Sequence, residues 1–185
     1  MTQLCCKNSK ILVNIAILYI NFNYMVNFIS FLKLDTTDLR ILKKIQLEAR
    51  ISNIDLATEV GISPSACLRR VKELENNGII DKYVTIINPI ILGLGVTVMV
   101  SVTLEQQVEK ALESFEKSVC DWPEVMETYL MTGDSDYLLR VIVKDLPAYE
   151  KFLMERLTKL PGISSIKSSF ALKEILHRTA LPIKI

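Results

Sequence analysis

One histidine and four cysteines among 185 residues leave little from which to build a metal centre or a disulfide framework. Cys5, Cys6, Cys67 and Cys120 show neither paired metal-ligand spacing nor the regular spacing of a secreted scaffold. Unpaired thiols in a reducing cytoplasm are the expectation. An excess of one charge is also missing: 22 Lys and Arg meet 21 Asp and Glu, for a net charge of +1. That excludes a basic tail coating nucleic acid by charge alone, so any such affinity has to come from local geometry and multivalency. There is no Walker loop, no G-x-G-x-x-G, no H-E-x-x-H and no C-x-x-C. Nucleotide and metal chemistry are unsupported, and no cofactor is expected. His177, the single histidine, has no Cys or Ser partner at an informative spacing and reads as a surface or interface side chain, so no enzyme is expected either.

One long stretch lacks charge altogether. From Ile11 to Leu32 there is no ionisable Lys, Arg, Asp or Glu, and that length is what a membrane span requires. Asn14, Asn21, Asn23 and Asn27 argue against a span, because each would carry an unsatisfied amide into hydrocarbon. A small-residue signal cleavage site is missing as well. Residues 1–33 are therefore expected to be an extension outside the folded modules, with Met25 a natural alternative start, and no membrane partner is expected.

Helical punctuation begins at Asp35. Asp35 with Asp38 three residues later is a helix-start signal, and Leu39, Leu42, Ile45 and Ala49 then recur at helical spacing. Ser52 with Asp55 repeats the signal ahead of a short helix from Ile54 to Val60, which Gly61 ends. Ser63 followed by Pro64 opens a third helix, running to the Asn76-Asn77-Gly78 stop. Two helices joined by a tight glycine-containing turn form a helix-turn-helix, placed here between residues 34 and 78. In that motif the N-terminal half of the second helix enters the major groove. Cys67, Leu68, Val71 and Leu74 mark its core side, whereas Ser65, Arg69 and Lys72 share the other face. Ser65 and Arg69 are thus candidates for base edges, with Arg50, Arg70 and Lys72 candidates for phosphates and Ser63, which caps the helix at the same end, a further DNA-binding candidate. Double-stranded DNA is the implied partner.

After a linker over residues 79–94 the period changes from 3.6 to 2. Val96, Val98, Val100, Val102 and Leu104 alternate with Thr97, Met99, Ser101 and Thr103 as in a half-buried strand. An amphipathic helix through Val108, Leu112, Phe115 and Val119 follows. Val125 to Thr132 and Tyr137 to Val143 read as a hairpin around Gly133-Asp134-Ser135-Asp136. A second helix through Tyr149, Phe152, Leu153 and Leu157 stops at Pro161-Gly162, and a last strand covers Ile163 to Leu172. The order β-α-β-β-α-β over residues 95–175 is that of a ferredoxin-like sandwich with helices on one face of an antiparallel sheet. The fold class is α+β, with residues 176–185 left as a tail. The open face of the sheet is expected to be an exposed apolar patch and hence to pair with a second copy.

Taken in order, Leu34-Asp35, Asp38, Ile41-Leu42, Ala49-Arg50-Ile51-Ser52-Asn53, Val60 through Ser65, Cys67 through Val71, Leu74-Glu75, Gly78-Ile79-Ile80 and Asn88-Pro89 resemble the Lrp/AsnC, or feast/famine, regulators. Gly133-Asp134-Ser135-Asp136-Tyr137 is similar to the G-D-x-D-Y turn of the ligand-sensing domain in that family, so the likeness runs from about Leu34 to Ile175. It implies a DNA-binding homo-oligomer, dimeric at minimum and a tetramer or octamer by analogy, whose assembly answers to a small effector, usually an amino acid, bound where dimers meet. By matching position the implied effector residues are Gly133, Asp134, Asp136 and Tyr137, with Leu146, Ser169, Phe170 and Ala171 beside them. A carboxylate there suits an α-ammonium group, and turn N–H groups suit an α-carboxylate. Asp134 and Asp136 are equally at home as local turn formers. Ser169 departs from the leucine-responsive pattern, which has an aromatic there, so the likeness does not extend to leucine response. The competing reading is an architectural DNA protein without an effector, which a steep salt slope with little sequence discrimination would distinguish.

Overall fold

The structure, a computed structural model, describes residues 34–185. The uncharged stretch and Met25 lie outside the described residues. The chain forms two units: one reaches to Ile86 and takes in Leu176–Ile185, and the other is Ile87–Ile175.

The first unit is built from α1 (Thr36–Ile45), α2 (Asn53–Val60) and α3 (Pro64–Asn76). Each starts where a side chain takes up backbone N–H groups that a helix cannot satisfy itself. Asp35 and Asp38 form a reciprocal capping box, the Asp38 N–H donating to Asp35 Oδ1 at 2.8 Å and the Asp35 N–H to Asp38 Oδ2 at 3.1 Å. Ser52 Oγ accepts from the Asp55 N–H at 3.1 Å, and Ser63 Oγ from that of Ala66 at 3.3 Å, with Pro64 in the first turn of α3. Gly61 closes α2 at φ 77°, a left-handed conformation that a side chain would strain, and this lets the chain reverse into α3.

Ile41, Ile45, Leu56, Ala57, Val60, Cys67 and Leu74 form the core of this unit. Burial pushes the Cys67 thiol pKa up. The buried stripe of α1 is Ile41 and Ile45, a four-residue step; Ala49 is exposed and lies past the end of the helix. Leu68 and Ile54 face solvent, although their apolar character places them inside. The apolar residues of α2 and α3 are spread over more than one face, so their spacing alone does not say which of them is buried.

The second unit runs β1 (Val96–Leu104), α4 (Glu109–Cys120), β2 (Val125–Leu130), β3 (Tyr137–Val143), α5 (Leu146–Glu155), a 3-10 turn (Leu157–Lys159) and β4 (Ile163–Phe170). The sheet order is β2-β3-β1-β4 and every pairing is antiparallel. Val98, Val100 and Val102 of β1 stand beside Leu139 and Val141 of β3, all fully buried beneath Phe115, Val119, Tyr149 and Phe152 of the helices.

The opposite face of the sheet differs in part from expectation. Strict alternation sends the aliphatic residues of β1 to the helix side and leaves Thr97, Met99, Ser101 and Thr103 outward, flanked by Ser169 and Lys167 of β4. On β3 the outward Arg140 is paired with Glu127 of β2, Nη2 to Oε1 at 2.5 Å. That face is mixed, with Met99, Tyr129, Leu138 and Ile142 lying among these polar groups. Exposed apolar residues also concentrate in the linker, where Val84, Ile86, Ile87, Ile90, Ile91 and Leu92 are all open to solvent.

Candidate nucleic-acid interface and effector turn

The third helix presents two faces at adjacent residues. Arg69 points outward and is well exposed, its Nη1 2.6 Å from Glu73 Oε1 one turn along the same helix. An exposed pair of this kind is weak and easily exchanged for another acceptor. Ser65 is exposed at the first turn, its Oγ 3.2 Å from that of Ser63, while Arg50 and Lys72 are exposed with no ion pair among the described residues. Asn53 steadies this end of α3 by donating from Nδ2 to the Pro64 carbonyl at 2.9 Å. Ser65, Arg69 and Lys72 therefore share one accessible face at the start and middle of α3, with Arg50 exposed just ahead of α2.

Arg70 is placed differently. Its Nη1 lies 2.7 Å from Asp35 Oδ2 and 2.7 Å from Asp38 Oδ1, both at the start of the first helix, and three quarters of its side chain is covered. The two aspartates thus spend one oxygen each on the capping box and the other on the guanidinium. The Asp35 carboxyl pKa is held below its ordinary value, first by the Asp38 N–H and then by Arg70, and that of Arg70 is raised in turn by Asp38 and Asp35. The guanidinium ties α3 to the start of α1 through Nη1, a placement that sets Arg70 apart from the exposed Arg69. Nothing within α3 signals it, because both partners lie more than thirty positions earlier.

In the second unit the effector candidates separate into two groups. Gly133 and Asp134 are exposed at the tip of the β2-β3 hairpin, with the Asp134 carbonyl accepting from Thr103 Oγ1 at 3.4 Å. Asp136 is buried, 5% exposed, and its carboxylate is already occupied: the Leu104 N–H donates to Oδ2 at 2.7 Å and Gln107 Nε2 donates to Oδ1. Tyr137 points into the core against Phe115, ring centroids 4.5 Å apart, and its hydroxyl donates to Glu116 Oε1 at 2.8 Å. Burial, with Glu116 beside it, drives the pKa of that phenol upward. Asp136 and Tyr137 therefore shape the turn from within the protomer, and Gln107 belongs with them. Gly133 and Asp134 are the exposed members of this motif and Ser135 is partly exposed.

Ser169 and Phe170 pair with Met99 and Val98, and the Ala171 N–H donates to the Thr97 carbonyl at 2.9 Å. Leu146 is exposed at the start of α5, just past the end of β3 whose Val143 pairs with Val96. These four residues lie toward the start of β1, while the Asp136 turn is bound to its far end at Val102 and Leu104. Met99, opposite Ser169, and Thr103, bonded to Asp134, stand four residue steps apart along β1, about 14 Å. One protomer does not bring them together.

A helix-turn-helix with an exposed basic face, joined to an antiparallel sheet domain with this turn, is matched by two family models. Residues 34–81 match a winged helix-turn-helix DNA-binding model and residues 97–181 the Lrp/AsnC ligand binding domain. The chain is 45% identical over 151 residues to the Bkd operon transcriptional regulator of Pseudomonas aeruginosa, a match spanning 82% of this chain and 99% of that one. It belongs to the Lrp/AsnC family. Like its relatives it is a transcriptional regulator, with a DNA-binding helix-turn-helix and a ligand-binding domain. The leucine-responsive regulatory protein of Escherichia coli is 38% identical over 82% of this chain and 92% of its own. Among solved structures, a regulator from Neisseria meningitidis in complex with L-methionine superposes with a TM-score of 0.77 at 39% identity, covering 81% of this chain and 97% of that one. Among the described residues no helix is long and apolar enough to cross a membrane, and no group of His, Cys, Asp and Glu is placed to hold a metal ion.

Proposed function

We propose that this Lrp/AsnC regulator acts in the cytoplasm as a homo-oligomer that reads operators through Ser65 and Arg69, holds phosphates with Arg50 and Lys72, and senses an amino acid between protomers. The observation that carries the sensing site is the separation of its two halves along β1. An amino acid is too short to touch Asp134 and Ser169 of one chain, so a site using both groups takes the turn from one protomer and the β4 end from another. Effector binding then acts on assembly, because a ligand held between copies has different affinities for different arrangements of them. The exposed aliphatic linker supports assembly independently, since a lone chain keeps so much apolar surface in water only at a cost. Two or more recognition helices on one assembly raise affinity through effective concentration, which a regulator of nearly neutral charge needs.

A relative that binds L-methionine and others named for leucine make these two the first members of a test panel. A thermal-shift screen of the common amino acids should give at least one hit, since ligand at 100 times its dissociation constant stabilises by about 2.7 kcal/mol. Asp134→Ala and Ser169→Trp should each abolish that hit, and their mixed oligomer should recover it. Silence across the panel with intact DNA binding would leave an effector-independent, architectural regulator.

A further inference from the structure

The chain leaves its first unit once, at Ile86, and returns to it at Leu176 after the whole of the sheet domain. What brings it back is a specific contact. Gln46, at the C-cap of α1, donates from Nε2 to the Leu181 carbonyl at 2.9 Å and accepts at Oε1 from the Leu181 N–H at 2.9 Å. A carboxamide is the one kind of side chain that can both donate to and accept from a single residue's backbone in this way. The geometry is that of one rung of a β-ladder, with a side chain replacing the second strand. Ala180 and Ile183 on either side are partly covered, whereas the Leu181 side chain is 72% exposed. The backbone, not the Leu181 side chain, is what Gln46 recognises.

Charge gives this contact a use. Between Leu34 and Ile86 eight Lys and Arg side chains meet eight Asp and Glu, so this stretch of the DNA-binding unit is balanced within itself, with Lys7, Lys10 and Lys33 preceding it in the sequence. The returning segment adds Arg178 and Lys184 and no acidic side chain. It is also the second covalent tie between the units, and it begins just beyond Ser169, Phe170 and Ala171 at the end of β4.

We propose that residues 176–185 are a releasable peptide ligand of the DNA-binding unit, held by the Gln46 carboxamide, and that docking them adds two cations, Arg178 and Lys184, to that unit's charge for DNA. Releasing the tail removes two cations from the unit and leaves the linker as its one tether, so DNA affinity falls. The same device makes the end of β4 a lever on the helix-turn-helix, whichever effector acts there.

The test uses the full chain, a Gln46→Leu variant, a Leu181→Pro variant that deletes the tail N–H without touching α1, and an Arg178→Gln/Lys184→Gln double variant. Amide hydrogen exchange across residues 179–183 and affinity for a duplex selected by the unmodified protein are measured over a salt series. Expected are protection of the Leu181 N–H in the parent, loss of that protection in Gln46→Leu, and several-fold weaker DNA binding in both Gln46→Leu and Leu181→Pro. The slope of log affinity against log salt should become shallower by about 1 to 2 in all three variants, at roughly 0.9 for each phosphate no longer neutralised. The charge variant should keep the protection. Free-peptide exchange at Leu181 in the parent, or unchanged DNA affinity and salt slope in Leu181→Pro, would overturn the proposal. Neither result depends on finding an effector, so failure here is distinct from failure of the amino-acid screen.

Discussion

The two units of this regulator are held together by different means. The sheet unit buries thirteen residues in a continuous apolar layer between four strands and two helices, whereas the helical unit buries seven. The helical unit compensates at its surface, with three side-chain N-caps, the Asp35-Asp38-Arg70 cluster and a Lys44 ammonium 2.8 Å from Glu59 that joins α1 to α2. One unit therefore rests mainly on dry packing and the other leans on charge and hydrogen bonding at half-wet positions. A DNA-reading module built in the second way stays responsive to ions and to its partner, while a sensing module built in the first keeps a fixed frame under its loops.

The sharpest way to break this contrast is to hollow each core once. Ile41→Ala and Leu139→Ala each remove a side chain with no exposure and should each cost about 2–5 kcal/mol. In the helical unit that loss should abolish DNA binding while the sheet unit keeps its own melting transition by calorimetry; equal loss of both transitions would show that the units do not stand apart. Next in size is Arg69→Ala, which should weaken a selected operator by about 1–3 kcal/mol if the side chain reads a base, with little change in melting temperature. Arg70→Ala should invert that ranking, lowering the melting temperature of the helical unit more than Arg69→Ala does. An equal loss on random and selected DNA would reassign Arg69 to phosphate. Ser63→Ala removes the cap of α3 and should cost about 1 kcal/mol, read by denaturant midpoints.

The smallest effect is one of acid. The Asp35 pKa is lowered in the fold, so its stabilisation is complete above the ordinary carboxyl value of 3.8 and drains away as pH falls through the lower folded value. Thermal melts between pH 5 and pH 2, as about the range where carboxylates lose charge, should show the parent losing stability more steeply than Asp35→Asn. Parallel curves would remove the carboxylate from the account of this unit.

Features written in neighbouring residues are legible directly in the sequence. Ser63-Pro64 opens a helix, Gly61 closes one, and the alternation from Val96 to Leu104 marks a strand, each through chemistry acting over a few positions. The β-α-β-β-α-β order follows from such signals in series. What is not legible depends on distance. Arg70 looks like one more cation on α3 until α1 folds beside it, and Gln46 is an ordinary polar residue until the tail returns 135 positions later. Asp136 and Tyr137 stand out in the sequence as an effector motif, yet their side chains turn inward to Leu104, Gln107 and Glu116. The outer sheet face departs in part from expectation for a related reason: total aliphatic content says nothing about which face receives it.

Arg69 and Arg70 are consecutive in the chain, but one is open to solvent and the other grips α1. Because those placements fall on separate side chains, the exposed face at Ser65 and Arg69 can be rewritten while the clasp to α1 is left untouched, so this architecture can change what that face meets without refolding its helices.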